Sequence, residues 1–392
     1  MNWQLSRLPQ VLFGEGVSAQ LTPLIQSYGK RVLLITGAHS FDAQPQAKTL
    51  LAQWQQAGFT LWHERVVTEP SPQWVDACVA QHADHHIDVV VAIGGGSALD
   101  AAKAVAGLLP VQRSVMDYLE GVGPELSYTA EALPFIAMPT TAGTGTEATK
   151  NAVLSQTGEW GFKKSFRHDS LMPRWAVIDP SWMLSLPAQQ IAFNGLDAIT
   201  QLIEGYSSSK ANDFTDGLAL AGLEKGLAAL PRWFENPQDG QAASDMAYAA
   251  LMSGIVLAHA GLGAVHGLAA PLGAFFPAPH GAVCGILLAE CTAMNIEQLK
   301  IQQPESETLV RYARIGRLLM NDPTLSDASA QLLLVEQLRQ WHQDFALPGL
   351  SHFGVTQQDI PRVVANARGN SMKTNPITLT DEQLTHILGC CC

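Results

Sequence analysis

The 392-residue sequence predicts an α/β N-terminal domain built on a parallel sheet, followed by an all-α C-terminal domain. Three observations lead there. Up to about residue 180, short apolar runs rich in Val and Ile alternate with helical patterns. The runs are continuous and do not alternate with polar residues, so both faces of the strands are covered, as in a parallel sheet flanked by helices. Past Asp179-Pro180 the strand signal almost vanishes, and Ala, Leu and Gly recur at helical spacing. The domains are therefore expected to cover residues 1–180 and 181–392, and a chain of this length is long for a single core.

Taken in order, Arg31-Val-Leu-Leu-Ile-Thr-Gly37 reads as a buried strand ending in a glycine turn. A helix is expected over 46–57, a strand over 59–66, a helix over 71–82 and a strand over 87–93. Strands at 133–139 and 175–178 follow. The second half reads as helices over 188–208, 212–233, 241–270, 281–299, 305–320 and 329–345.

Lys and Arg number 23 against 35 Asp and Glu, a net charge of −12. Nucleic-acid affinity rests on cations that neutralise phosphates, so no nucleic-acid partner is expected. The six cysteines are Cys78, Cys284, Cys291 and Cys390 to Cys392. They show neither metal-type spacing nor a framework of pairs, which points to a reducing cytoplasm. The three terminal thiols read as a frayed end. The N-terminus lacks the apolar run of a signal peptide, and stretches such as Val89 to Ile93 are too short to span a bilayer, so no membrane is expected.

Two loops carry the strongest local chemistry. In Val89-Val-Val-Ala-Ile-Gly94-Gly95-Gly96-Ser97-Ala-Leu-Asp100 a strand enters three glycines and then a helix beginning at Ser97. Glycines allow close backbone approach, and the helix N-terminus offers free N–H groups to a pyrophosphate. Ser97 is placed to cap the helix or bond phosphate, and Asp100 suits its positive end. The triplet departs from the G-x-G-x-x-G fingerprint. The second loop, Met138-Pro-Thr140-Thr141-Ala-Gly143-Thr144-Gly145-Thr146-Glu147, also follows an apolar strand. In a parallel sheet both loops fall on the carboxyl edge, where ligands bind.

A third group lies in the helical half. Asp197 and Gln201 are four residues apart and share a helix face. His266 sits in a Gly/Ala-rich helix, and His280 follows Phe276-Pro-Ala-Pro279. Oxygen and imidazole groups from three segments suit a divalent cation at a domain interface.

Together these segments resemble the iron-containing (group III) alcohol dehydrogenases, a family related to dehydroquinate synthase-like folds. The likeness also includes Val11-Leu-Phe-Gly14-Glu-Gly16, Ala176-Val-Ile-Asp179-Pro180, Asn194-Gly-Leu-Asp197-Ala and Asn375-Pro376. It implies a Rossmann-like dinucleotide-binding domain, a helical metal domain, and hydride transfer between NAD or NADP and a small alcohol or aldehyde. By motif position, Gly94, Gly95, Gly96, Ser97 and Asp100 would hold pyrophosphate and nicotinamide, and Thr140, Thr141 and Thr144 would line the nicotinamide. Asn151 and Lys163 would be further cofactor contacts, with Lys164 an equally good register. Iron or zinc would be held by Asp197, Gln201, His266 and His280, with His266 and His280 also at the reacting centre. A homodimer is common in the family.

The sequence departs from the family at three places. Thr36-Gly37 stands where many NAD-preferring members carry an acid, which leaves NADP use open. Gln201 replaces a histidine of the usual Asp-x-x-x-His, and a neutral amide is a poorer ligand than imidazole, so weaker or altered metal binding is expected. Ala270 stands where many members have a further histidine, a candidate proton shuttle. His259, seven residues before His266, is the candidate substitute. The runner-up activity is a metal-independent NAD(P)H reductase of an oxo-acid, as in the maleylacetate reductases, with Lys373 or the histidines bonding the carbonyl oxygen. The cations between Arg368 and Lys373 would suit such an anionic substrate. A dehydroquinate synthase-like lyase is the remaining alternative.

Overall fold

A computed structural model describes residues 3–38 and 40–392. The first half comprises β1 (Gln10–Phe13), α1 (Leu21–Gln26), β2 (Arg31–Gly37), α2 (Pro45–Gln56), β3 (Thr60–Val66), α3 (Pro72–His82), β4 (Val89–Gly94), α4 (Gly96–Leu108), β5 (Phe135–Pro139), β6 (Asn151–Gln156), β7 (Phe162–Arg167) and β8 (Trp175–Ile178). Six strands form one sheet in the order β1-β8-β5-β4-β2-β3, every pair parallel. Alternate residues of the central strands enter two separate cores. Leu33, Ile35, Val90 and Ala92 pack on one face, and Val32, Leu34, Val89, Val91 and Ile93 on the other. That double burial, about 1.5–3 kcal/mol per large aliphatic side chain, explains the unbroken apolar runs.

The second half comprises α5 (Ala188–Ser207), α6 (Asp213–Glu235), α7 (Gly240–Ala260), α8 (Ala264–Phe275), α9 (His280–Gln302), α10 (Glu307–Met320), α11 (Asp327–Asp344), α12 (Ile360–Ala365) and α13 (Asp381–Cys390). α5 is central, packed against α6, α7 and α9, and is buried almost all round from Gly195 onward. α9 is long and apolar enough by composition to cross a membrane, but 78% of its apolar window is buried inside the protein. It is a core helix. The parallel sheet followed by a helical region is the predicted fold class.

Two expectations are corrected and one unexpected element is added. The single helix over 241–270 is two helices, α7 and α8, set at 99°. Gly261 takes a φ of +73° between them, a conformation that ends a helix and that glycine adopts without strain. The freed N–H groups of α8 are satisfied from afar: Ala264 N donates to Asn375 Oδ1 and Val265 N to Glu204 Oε1. Second, residues 151–167 form an antiparallel hairpin, β6–β7, separate from the main sheet. Third, the cysteine tail is not frayed. It continues α13, with Cys391 buried and its carbonyl accepting from Leu350 N.

Candidate active site

The two glycine-bearing loops meet on the carboxyl edge of the sheet. β4 and β5 are neighbours with Gly94 opposite Pro139, and Thr140 N donates to Gly94 O at 2.9 Å. A Cβ on Gly95 would lie 3.3 Å from Thr141 Cγ2, and one on Gly96 2.9 Å from Thr144 Oγ1, so the threonine loop lies directly on the glycine turn. The helix starts one residue earlier than expected, at Gly96, with Gly95 as its N-cap and no side-chain cap. Ser97 therefore does not cap it.

Asp100 is buried one turn into α4 and accepts from Thr146 Oγ1 at 3.1 Å. Burial pushes its pKa up to about 6, with Lys103 and the Thr146 hydroxyl opposing. Lys103 is fully buried and donates to Thr146 O, Thr149 Oγ1 and Asn151 O at 2.8–3.0 Å. It pins the threonine loop to the start of β6, and burial brings its pKa down to about 8. Alternation on β7 sends Lys163 to Glu69, at 2.6 Å, and toward Gly273 of α8, whereas Lys164 approaches Gly121. At the end of β2, buried Thr36 bonds His63 Nε2 at 2.9 Å, and Gly37 brings no carboxylate.

Glu147, the last residue of the threonine loop, is buried, and this pushes its pKa from 4.5 up to about 7 against the field of Lys103. Below pH 4.5 the group is neutral folded and unfolded. As pH rises from there to about 7 the unfolded chain ionises first, so this group lowers stability progressively and then by a constant amount. Glu147→Gln is expected to remove that loss, gaining about 3 kcal/mol over wild type above neutrality and little near pH 4.5. Thermal melts across this range measure it; a difference independent of pH would contradict the buried acid.

The third group assembles where α5, α8 and α9 converge. Asp197 Oδ1, His266 Nε2, His280 Nε2 and Cys284 Sγ belong to a set of potential ligand atoms that all lie within 4.8 Å of one another. Asp197 and Gln201 lie one turn apart on α5, and His280 and Cys284 one turn apart on α9. Asp197 Oδ1 is 3.3 Å from His266 Nε2 and 3.9 Å from His280 Nε2. Burial opposes its charge, yet the neighbouring His280 and His266 and the Gln201 amide hold its pKa below the usual carboxylate value. His266 Nδ1 lies 2.6 Å from Glu204 Oε2. Burial disfavours charge on His266, but Cys284, Asp197 and Glu204 outweigh it and raise its pKa. Burial, with help from Lys163, brings His280 down to about 4, and its Nδ1 is buried without a partner among the described residues. Burial pushes the Cys284 thiol up to about 11.

These residues fit a divalent cation. His266 Nδ1 donates to Glu204, which leaves Nε2, beside Asp197, as the ring nitrogen available to a cation, the carboxylate–histidine arrangement that orients metal ligands. Gln201 stands beside the group: its Nε2 donates to Asp197 Oδ1 at 3.2 Å and its Oε1 accepts from Ser253 Oγ at 2.9 Å. Ser253 Oγ lies 3.5 Å from Gly143 O, and Gly254 abuts Gly145, so the cluster and the threonine loop are contiguous.

His259 is elsewhere. Its Nε2 accepts from Ser6 N and its Nδ1 donates to Ile255 O, so both ring nitrogens are engaged and it is no proton shuttle in this arrangement. The one-face relation to His266 required a continuous helix, and the bend at Gly261 removes it. Arg368 is also engaged, by Leu379 O and Asp381, and Lys373 bonds Asn370, so the support for an anionic substrate falls away. Sequence reasoning gave no role to Glu204, Cys284, Lys103 or Glu69. Glu204 was detectable as the next residue along the Asp197–Gln201 helix face, and Cys284 as the i+4 partner of His280.

Comparison with known proteins agrees with this arrangement. The sequence profile of the iron-containing alcohol dehydrogenases matches residues 9–180, and that of the C-terminal region of the same family matches residues 191–390. The chain is 32% identical over 357 residues to long-chain-alcohol dehydrogenase 1 of Geobacillus thermodenitrificans, covering 90% of this chain and 87% of that protein. It is 29% identical to the NAD-dependent methanol dehydrogenase of Bacillus methanolicus, covering 97% of each. The crystal structure of a 1,3-propanediol oxidoreductase superimposes with a TM-score of 0.90 at 25% identity, over the full length of both chains. With both halves matched and the sheet-edge loops and helical cluster side by side, the chain belongs to the iron-containing alcohol dehydrogenase family and is an alcohol dehydrogenase.

Proposed function

We propose that residues 1–180 bind NAD or NADP, that residues 181–392 carry the metal and substrate site, and that hydride passes between the nicotinamide and an alcohol or aldehyde carbon where the two adjoin. The contact of the threonine loop with the Asp197–Gln201–Ser253 network carries this reading, because it sets a phosphate-cradling edge against a cluster of buried donors. Backbone N–H groups of Gly95, Gly96 and Ser97 take the pyrophosphate at the start of α4. Asp100, Thr140, Thr141 and Thr144 orient the nicotinamide end, with Asn151 and Lys163 at the hairpin side. Asp197, His266 and His280 hold a divalent ion, which supplies Lewis-acid polarisation of the substrate oxygen. Glu204 fixes His266, and Gln201 holds the Asp197 carboxylate rather than acting as a ligand. Without an acid at Gly37 the pocket leaves both NAD and NADP admissible. The NAD-dependent methanol dehydrogenase relative supports the first of these.

A homodimer is supported by Trp3, Leu5 and Val11, exposed apolar side chains at or before β1, an edge strand. A cytoplasmic setting is supported by six cysteines, all free. The deciding experiment measures NADH and NADPH oxidation with a series of aldehydes before and after chelation. Chelated protein is expected to lose at least nine-tenths of its activity and to regain it on adding a divalent metal. Full activity in metal-free protein would sink the metal-assisted mechanism.

A further inference from the structure

We infer that Cys284 is the fourth metal-binding side chain of this site, coordinating as a thiolate, and that the site thereby selects a zinc-class ion. The inference rests on the metal-assisted reading above and adds to it the ligand and the kind of ion. Gln201, one turn from Asp197 on α5, is the other polar side chain beside the cluster. Its amide is not free to coordinate. The nitrogen donates to Asp197 Oδ1 and the oxygen accepts from Ser253. Turning the amide over would set its carbonyl oxygen against the Asp197 carboxylate, an acceptor against an acceptor.

Cys284 supplies a donor from the other side. Its Sγ is 3.7 Å from His266 Nε2 and 3.7 Å from His280 Nε2. With metal–nitrogen and metal–oxygen bonds near 2.0–2.1 Å and metal–sulfur near 2.3 Å, a tetrahedral site has edges of about 3.3 Å between N or O donors and about 3.6 Å between N and S. The edges here are 3.3 and 3.9 Å from Asp197 Oδ1 to the two imidazoles, and 3.7 Å for both sulfur edges. These four edges are close to what a single small cation requires, and the other two, Asp197 to Cys284 and His266 to His280, are no longer than 4.8 Å. His280 and Cys284 also lie one turn apart on the same face of α9, so one rigid helix sets both.

On coordination the thiol releases its proton to solvent as the metal–sulfur bond forms, with no change of oxidation state. Thiolate softness moves selectivity toward zinc and cobalt and away from the oxygen-preferring ions. Four protein donors remain compatible with catalysis, because zinc can expand to five.

The test uses the whole chain carrying Cys390→Ser and Cys392→Ser, which removes both exposed tail thiols, Cys390 being the one beside His386. After chelation it is titrated with cobalt(II) and followed by absorption. One equivalent should bind with a near-ultraviolet thiolate-to-cobalt charge-transfer band. Cys284→Ser in this background should lose the band and bind zinc at least about 100-fold more weakly, the upper end of what losing an outer-shell partner costs. Cys291→Ser should keep the band. Cys284→Ala replaces the serine variant if that one fails to fold by circular dichroism. Stoichiometric cobalt without a band in the parent protein, or a band surviving Cys284→Ser, overturns the cysteine ligand while leaving a metal site intact. Absence of any cobalt or zinc uptake overturns both readings together.

Discussion

Asp197→Ala should lower kcat/KM for alcohol oxidation by at least about a thousandfold, close to 4 kcal/mol of transition-state stabilisation. The Asp197 carboxylate is the hub of the buried cluster. Its Oδ1 meets His266 Nε2, Gln201 Nε2 and, slightly further off, His280 Nε2. Deleting it removes a metal-binding oxygen and leaves an imidazole and an amide facing each other across a void. Removing one member of a buried ion pair also costs about 3–5 kcal/mol of stability, so activity alone would confuse unfolding with lost chemistry. Asp197→Asn keeps the shape and one acceptor oxygen, and supplies the control. NADH binding, followed by fluorescence, should persist in either variant, because the glycine turn at β4 is built from other residues. If Asp197→Asn retains kcat/KM within tenfold while its metal content falls, the cluster is not where the substrate oxygen is activated.

Gly254→Val should destabilise the protein by about 3 kcal/mol or more and weaken cofactor binding at least tenfold. A Cβ at position 254 would sit 2.1 Å from the carbonyl oxygen of Gly145, and one on Gly145 would fall 2.5 Å from Gly254 N. Both neighbours are backbone, and Gly145 already adopts a φ of +62°, so neither side can yield cheaply. α7 would have to leave, or the threonine loop would have to lift from the sheet edge. Gly217→Ala is the matched control. It lies exposed in α6 with nothing within 4 Å of its Cβ, and should stabilise the helix by about 0.5–1 kcal/mol. Equal melting temperatures for Gly254→Val and wild type would show that the close approach carries no weight.

The elements that were legible in the sequence are those whose signal is local. β2 and β4 announce themselves because they are buried on both faces and leave no polar alternation. The two loops after β4 and β5 were legible because glycines and threonines follow each strand directly. β6 and β7 were not. They are short and mixed in polarity, and Ala152, Leu154 and Phe166 pack on α4, a contact invisible along the chain. The bend between α7 and α8 was hidden because Gly261-Leu-Gly263 interrupts an apolar pattern that continues unchanged on either side. That single misreading put His259 beside His266. Asp197, His266 and His280 were found by type and spacing; Cys284 carried the same i+4 signal from His280, but its approach to His266 depends on how α8 and α9 pack.

The paired glycines 145 and 254 have one further consequence. They leave no side chain between the cofactor-facing loop and the helix whose Ser253 holds Gln201, so displacement on one side is felt on the other without a compressible cushion. Two ligands that share such a contact obey reciprocity: whatever factor a bound dinucleotide adds to cation retention, the cation returns equally to dinucleotide affinity. In this enzyme the gain in ion affinity with dinucleotide bound, and in dinucleotide affinity with ion bound, are then a single coupling constant.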